Sequence, residues 1–119
     1  MLGFQPTLQR RVHDRSQSDQ VTAYVRSISR FPILSREAEH ELAVAWRERG
    51  DHGARGRLVN ANLRLVVAIA RKVHGRPMMD YIQEGNRGLL EAVDRFDPHS
   101  GNRLTTYAYI YVRSHMLDF

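Results

Sequence analysis

Residues 80–111 read DYIQEGNRGLLEAVDRFDPHSGNRLTTYAYIY, and this stretch decides the fold. It predicts one helix, a tight turn and the start of a second helix. Between Asp80 and Phe96 the apolar residues Ile82, Leu89, Val93 and Phe96 recur at helical spacing and mark a buried stripe. Asp80, Gln83, Glu84, Arg87 and Glu91 lie three or four residues apart and form a polar face. Gly85 and Gly88 fall inside this helix, where each costs about 1 kcal/mol relative to alanine. A helix that keeps both is expected to be approached closely by another backbone. Asp97-Pro98-His99-Ser100-Gly101 then supplies turn chemistry. After it, Arg103, Tyr107, Tyr109, Tyr111 and Arg113 interleave aromatic and cationic side chains of a kind that stacks on bases.

Upstream, Val21, Tyr24, Val25, Ile28 and Phe31 follow helical spacing from Asp19, and Pro32 stops that helix. Ser35 is the expected N-cap of a second helix, with Glu37 and Glu39 in the first turn, where the helix dipole favours acids. Ala38, Leu42, Ala45 and Trp46 form its inner face and Gly50 ends it. Asp51 caps a third helix reaching about His74, before the Gly75-Arg76-Pro77 break. The middle of that helix, Leu63 to Ala70, is apolar almost all round except at Arg64, the pattern of a central bundle helix. Residues 1–18 are polar and basic without sustained periodicity and are expected to be a flexible tail, with the domain running from 19 to 119. The last helix meets no stop signal before Phe119, so it is expected to be incomplete, cut short or finished by a neighbour. No strand-like alternation and no internal repeat occur. The expected fold is all-α, a compact helical bundle of about five helices.

The chain has 119 residues, enough for one domain with a modest core. Eighteen Lys and Arg against thirteen Asp and Glu leave a net charge of +5, which favours a polyanionic partner. Lys72 is the one lysine; the other cations are arginines, whose planar fork suits phosphates and stacked bases. Without cysteine there are no disulfides and no thiolate metal sites. No apolar run approaches eighteen residues and no signal-peptide core opens the chain, so a soluble cytoplasmic protein is expected, with no membrane partner.

Enzyme chemistry finds little footing. Glu37-Ala38-Glu39-His40 contains a Glu-x-x-His spacing, but a di-iron helix site needs a second copy and there is none. The six histidines are scattered without ligand pairing, and the serines have no base partner or G-x-S-x-G setting. No catalytic residue, metal or cofactor is assigned.

DYIQEGNRGLLEAVDRFDP followed by RLTTYAYIYVR closely resembles the second conserved region of bacterial sigma factors of the sigma-70 class. The likeness extends upstream through LSREAEHELAVAWRERGD and RGRLVNANLRLVVAIARK, covering roughly Asp19 to the C-terminus. The resemblance implies a domain that joins RNA polymerase core and captures the non-template strand of the promoter −10 element. By matching position, Asp80, Gln83, Glu84, Asn86 and Leu90 would contact the clamp helices, a coiled coil of the polymerase's largest subunit. Phe96, Thr106 and Tyr107 would line the pocket for the flipped adenine, and Asn62, Leu65 and Thr105 the pocket for the last thymine. Arg103, Ile110 and Tyr111 complete the expected DNA-binding set. An anti-sigma factor is a further partner such a domain implies.

The chain also departs from the family pattern. Ile110 and Tyr111 stand where housekeeping members carry adjacent tryptophans that wedge against the melted bubble. Leu104 replaces a customary aromatic, Ser100 a customary basic residue and Arg87 an apolar one. The departures at Ser100, Leu104, Ile110 and Tyr111 resemble an alternative or heat-shock-like member, truncated after its −10-binding part. They also leave open a non-DNA reading, in which a sigma-like interaction module occupies polymerase core without recognising a promoter.

Overall fold

The computed structural model of the protein describes the backbone of residues 6–119 and the side chains of residues 16–119. Six helices follow one another: α1 (Pro6–Ile28), α2 (Arg36–Arg49), α3 (His52–Ala61), α4 (Leu63–Ala70), α5 (Met78–Arg95) and α6 (Leu104–Asp118). Among the described residues there is no strand, so the all-α expectation holds. Because α3 and α4 are separated by Asn62 alone, the bundle has five helical segments, one of them bent. The expected boundary at Asp19 falls within α1; residues 1–5 lie outside the described residues.

The α5–α6 hairpin is the centre of the molecule, and α4 packs beside it. Tyr81, Ile82, Leu89, Ala92, Val93 and Phe96 turn inward from α5 and its end, against Leu104, Ala108, Val112 and Met116 of α6. Val66, Val67, Ile69 and Ala70 of α4 close the core. Gly88 has the expected cause, a second backbone close by, whereas Gly85 is crowded by side chains. A Cβ on Gly88 would lie 2.5 Å from the carbonyl oxygen of Tyr111 and 2.9 Å from Val112 Cα, so the α6 backbone runs directly over it. A Cβ on Gly85 would press on the side chains of Met116, Val66 and Val112.

The caps of α2 are those the sequence predicts. Ser35 Oγ accepts from Ala38 N at 3.1 Å, and Gly50 takes the left-handed conformation, φ 63°, that a side chain would disfavour. Of the expected inner face of α2, Ala45 is buried and Leu42 and Trp46 pack half-buried against the core, and the face widens to include buried Glu39 and Ala43.

Two helix boundaries also need correction. The helix expected to run unbroken from Asp51 to about His74 breaks at Asn62 and ends at Ala70. Asn62 adopts φ −113°, ψ 6°, and its side-chain amide donates to the Leu58 carbonyl at 2.8 Å, a competing bond that ends α3. At α6 the helix starts at Leu104, and Arg103 occupies the cap position without a side-chain cap bond. The cap comes from another helix, as described below. Arg64, the outlier in the apolar stretch, donates to the carbonyls of Ser29 (2.6 Å) and Phe31 (2.8 Å) and so holds the end of α1 against α4.

Candidate polymerase and nucleic-acid interface

The polar face of α5 is available to a partner. Gln83, Arg87 and Leu90 are exposed, Asp80 and Glu84 half-buried. Arg87 pairs with Glu84 at 3.5 Å within the helix, and Glu91 receives Arg95 at 3.4 Å and His115 Nε2–H of α6 at 2.8 Å. Asn86 lies apart from this group. Its amide donates to the Tyr24 hydroxyl of α1 at 3.2 Å, and its buried Oδ1 has no partner among the described residues. The structure therefore brings Asp80, Gln83, Glu84 and Leu90 onto one surface and places Asn86 at the joint with α1.

Asp94 follows on the same helix. Arg55 of α3 forks onto its two carboxylate oxygens at 2.7 and 3.0 Å. That bidentate bond, with the charge of Arg55 behind it, holds the Asp94 carboxyl below its ordinary range and raises the Arg55 guanidinium. Arg55 also lies over the Trp46 ring, 5.4 Å from its centroid. The pair ties α3 to α5.

At the far end of the hairpin the aromatic residues divide. Phe96, Tyr107 and Tyr111 converge: Phe96 and Tyr107 ring centroids lie 5.8 Å apart, Tyr107 and Tyr111 5.1 Å apart. The two tyrosine hydroxyls share a hydrogen bond of 3.0 Å. This bond, then partial burial and the neighbouring phenol itself, pushes the Tyr107 ionisation up, while Arg95 and Arg47 oppose it. Tyr109 points elsewhere, into an open cleft with Lys72, Arg76, Arg113, Tyr81 and Phe119. Ile110 projects into solvent, 66% exposed. Thr106 is exposed on the same helix.

Asn62 and Thr105, 43 positions apart, are brought together: the Thr105 hydroxyl donates to Asn62 Oδ1 at 3.2 Å. Leu65 is half-buried and packs on the core. Asn62 is itself buried, with both ends of its amide engaged.

Arg103 is placed otherwise than a free DNA-facing cation. Its guanidinium donates to Glu39 Oε2 (3.1 Å) and Oε1 (3.3 Å) and to the Leu34 carbonyl (3.1 Å). Glu39 Oε2 also accepts from the backbone N–H of Leu104 at 3.1 Å, which makes it the cap of α6. Around it α2 holds the whole turn. Arg36 donates to the Gly101 carbonyl (2.8 Å), His40 Nδ1–H to the Pro98 carbonyl (3.1 Å), and His99 Nε2–H to Glu48 (3.0 Å). Arg47 reaches the Phe96 carbonyl at 3.5 Å. This contribution of α2 is absent from the sequence reading. The available signal was the stripe Arg36, His40, Ala43, Arg47, which repeats at helical spacing.

Among the described residues no group of three or more His, Cys, Asp or Glu is placed to hold a metal ion, and no helix is long and apolar enough to cross a membrane.

Comparison with known proteins identifies the family. A family model for Sigma-70 region 2 matches residues 58–119, and one for Sigma-70 factor, region 1.2, matches residues 19–51. The chain is 47% identical over 98 residues to RNA polymerase sigma factor SigA of a Bacillus species, covering 81% of this chain and 26% of that protein. It is 48% identical over 99 residues to SigA of Listeria monocytogenes, with the same coverages, and 46% identical over 97 residues to SigA of Clostridium acetobutylicum, covering 80% and 25%. The chain thus spans about a quarter of the length of these relatives. They carry the name SigA, so the expectation of an alternative or heat-shock-like member, drawn from Ser100, Leu104, Ile110 and Tyr111, finds no support in them.

Proposed function

Since the chain belongs to the sigma-70 family, with segments matching regions 1.2 and 2, we propose that it acts in transcription initiation, docking on RNA polymerase core and capturing the promoter −10 element. The domain doing this runs from Asp19, where the region 1.2 match begins, to Phe119. The carrying observation is the α5–α6 hairpin, which holds a polar face at one end and the Phe96–Tyr107–Tyr111 set at the other in one rigid unit.

Asp80, Gln83, Glu84 and Leu90 dock on the clamp helices of the largest subunit. Acids and amides facing a basic coiled coil give steering and register more than raw affinity. Asn86 serves this face from its edge by fixing α1 beside α5. The non-template strand passes over the turn and α6. Phe96, Thr106 and Tyr107 receive the extruded adenine, and Asn62, Leu65 and Thr105 hold the last thymine through a pocket whose polar atoms are already paired. Each base stacked on a ring contributes about 1–3 kcal/mol. Arg103 acts through Glu39, fixing the turn rather than gripping a phosphate. Arg47 and Arg95 beside Tyr107, and Lys72, Arg76 and Arg113 around the cleft, supply positive charge for the backbone. Ile110, exposed beside Tyr111, faces the upstream edge of the bubble.

No catalysis is involved. Strand opening draws on exchanging base stacking for protein stacking and pockets. The reading carries with it a cytoplasmic place of action, and an anti-sigma factor that covers the docking face would be its regulator. The assembled aromatic set supports this reading over a module that occupies polymerase without reading DNA.

The test is binding of the chain to the isolated clamp-helix coiled coil, beside a Gln83→Ala/Glu84→Ala variant. Micromolar binding that the variant loses is the expected result, and no binding by the intact chain would overturn the docking role. A single-stranded −10 oligonucleotide, bound by the intact chain and not by Tyr107→Ala, tests the second half.

A further inference from the structure

We propose that Tyr111 is a positioning residue for the −10 pocket, its hydroxyl fixing the Tyr107 ring as the wall on which the extruded base stacks. The inference rests on the reading of Tyr107 given above and adds a residue whose own chemistry differs from that of an indole at the same place.

Four observations converge on it. Tyr107 and Tyr111 are one helical turn apart on α6, and their hydroxyls lie 3.0 Å from each other. Their rings are tilted by 51° with centroids 5.1 Å apart, so they meet along their length as well as at their tips. On its other side Tyr107 meets Phe96, buried at the end of α5, at 5.8 Å and 48°. Finally, the Tyr111 backbone is itself fixed, because its carbonyl lies directly over Gly88 of α5. A closed circuit results, running from Phe96 through Tyr107 and Tyr111 back to α5. Ile110 stands outside it.

The physical role follows from entropy and proton count. A tyrosine ring with tilted aromatic neighbours on two sides and its hydroxyl bonded has little torsional freedom left to lose when a base stacks on it. Two phenols sharing one bond use one proton between them and leave the other O–H proton free to donate to a base or phosphate acceptor.

The test is a double-mutant cycle in the 119-residue chain, read by binding of a single-stranded −10 oligonucleotide with 2-aminopurine at the extruded position. Tyr111→Phe is expected to weaken binding about three- to tenfold, the effect of one hydrogen bond. Tyr107→Phe should cost the same, and the double variant no more than either alone. Tyr107 ionisation, followed by phenolate absorbance and NMR, should fall back toward its ordinary value in Tyr111→Phe. Thermal melts establish that each variant is folded. If Tyr107→Ala abolishes binding while Tyr111→Phe binds as the parent does, the inference is overturned and the pocket reading stands. If Tyr107→Ala binds normally, the pocket reading fails and the inference falls with it. Additive losses from the two Phe variants would also overturn it.

Discussion

The carboxylate of Glu39, on α2, accepts a hydrogen bond from the backbone N–H of Leu104, the first residue of α6, at 3.1 Å. The two residues are 65 positions apart, yet one caps the helix that the other begins. Glu39 is only 4% exposed and also receives the Arg103 guanidinium, so its charge is buried with partners. The segment matching region 1.2 thus holds the element that carries Tyr107 and Tyr111.

Removing this cap should be costly. Glu39→Ala leaves the Leu104 N–H without an acceptor and the half-buried Arg103 without its counter-charge. A loss of about 2–3 kcal/mol is expected, read from the urea midpoint, with Glu39→Gln losing less because it keeps an acceptor. A wild-type midpoint in Glu39→Ala would show that the α2–turn contacts do not hold α6.

The two glycines of α5 should respond differently to alanine. At Gly88 the obstacle is the α6 backbone, which cannot move without parting the hairpin, so Gly88→Ala should destabilise by about 2 kcal/mol or more despite its better helix propensity. At Gly85 one obstacle is the end of the flexible Met116 side chain, although Val66 and Val112 give less. Gly85→Ala should cost about half as much, and thermal melts of the pair would check the order.

The Arg55–Asp94 pair sets a small acid-side dependence. The folded Asp94 carboxyl is held below its unfolded range, so its contribution is present above about pH 4 and lost as the pH falls through the folded value. Both side chains are partly exposed, 28% and 44%, which limits the pair to less than about 1 kcal/mol. Asp94→Asn should therefore lower stability slightly at pH 7 and flatten its decline toward pH 3, as urea melts at both pH values would measure.

Asn62→Ala removes the bond that ends α3 and the acceptor of the Thr105 hydroxyl together. It should cost about 1–2 kcal/mol. Thr105→Val, which keeps Asn62 bonded to Leu58, should cost less than Asn62→Ala, and equal losses would assign the effect to the Thr105 bond alone.

Much of this was legible in the chain. The stripe Ile82, Leu89, Val93, Phe96 gave the buried face of α5, and Ser35 and Gly50 gave both ends of α2. Gly85 and Gly88 announced the close approach of α6. Such features act within a few residues or through one repeating period, so sequence order carries them.

What the sequence alone determined, then, is the all-α class, the buried face of α5, the hairpin at 96–104 and the membership of residues 19–51 and 58–119 in a known family. Only the tertiary structure decided which polar residues are free to act. Arg103 reads as a DNA-facing cation in the chain and is bound to Glu39; Asn86 reads as a docking contact and is turned to Tyr24. Of three tyrosines at alternate positions, two join Phe96 and the third faces another cleft. The reason is geometric. A side chain's partner across 60 residues depends on how two helices cross, and helical periodicity fixes a residue's direction about its own axis while leaving open what lies in that direction.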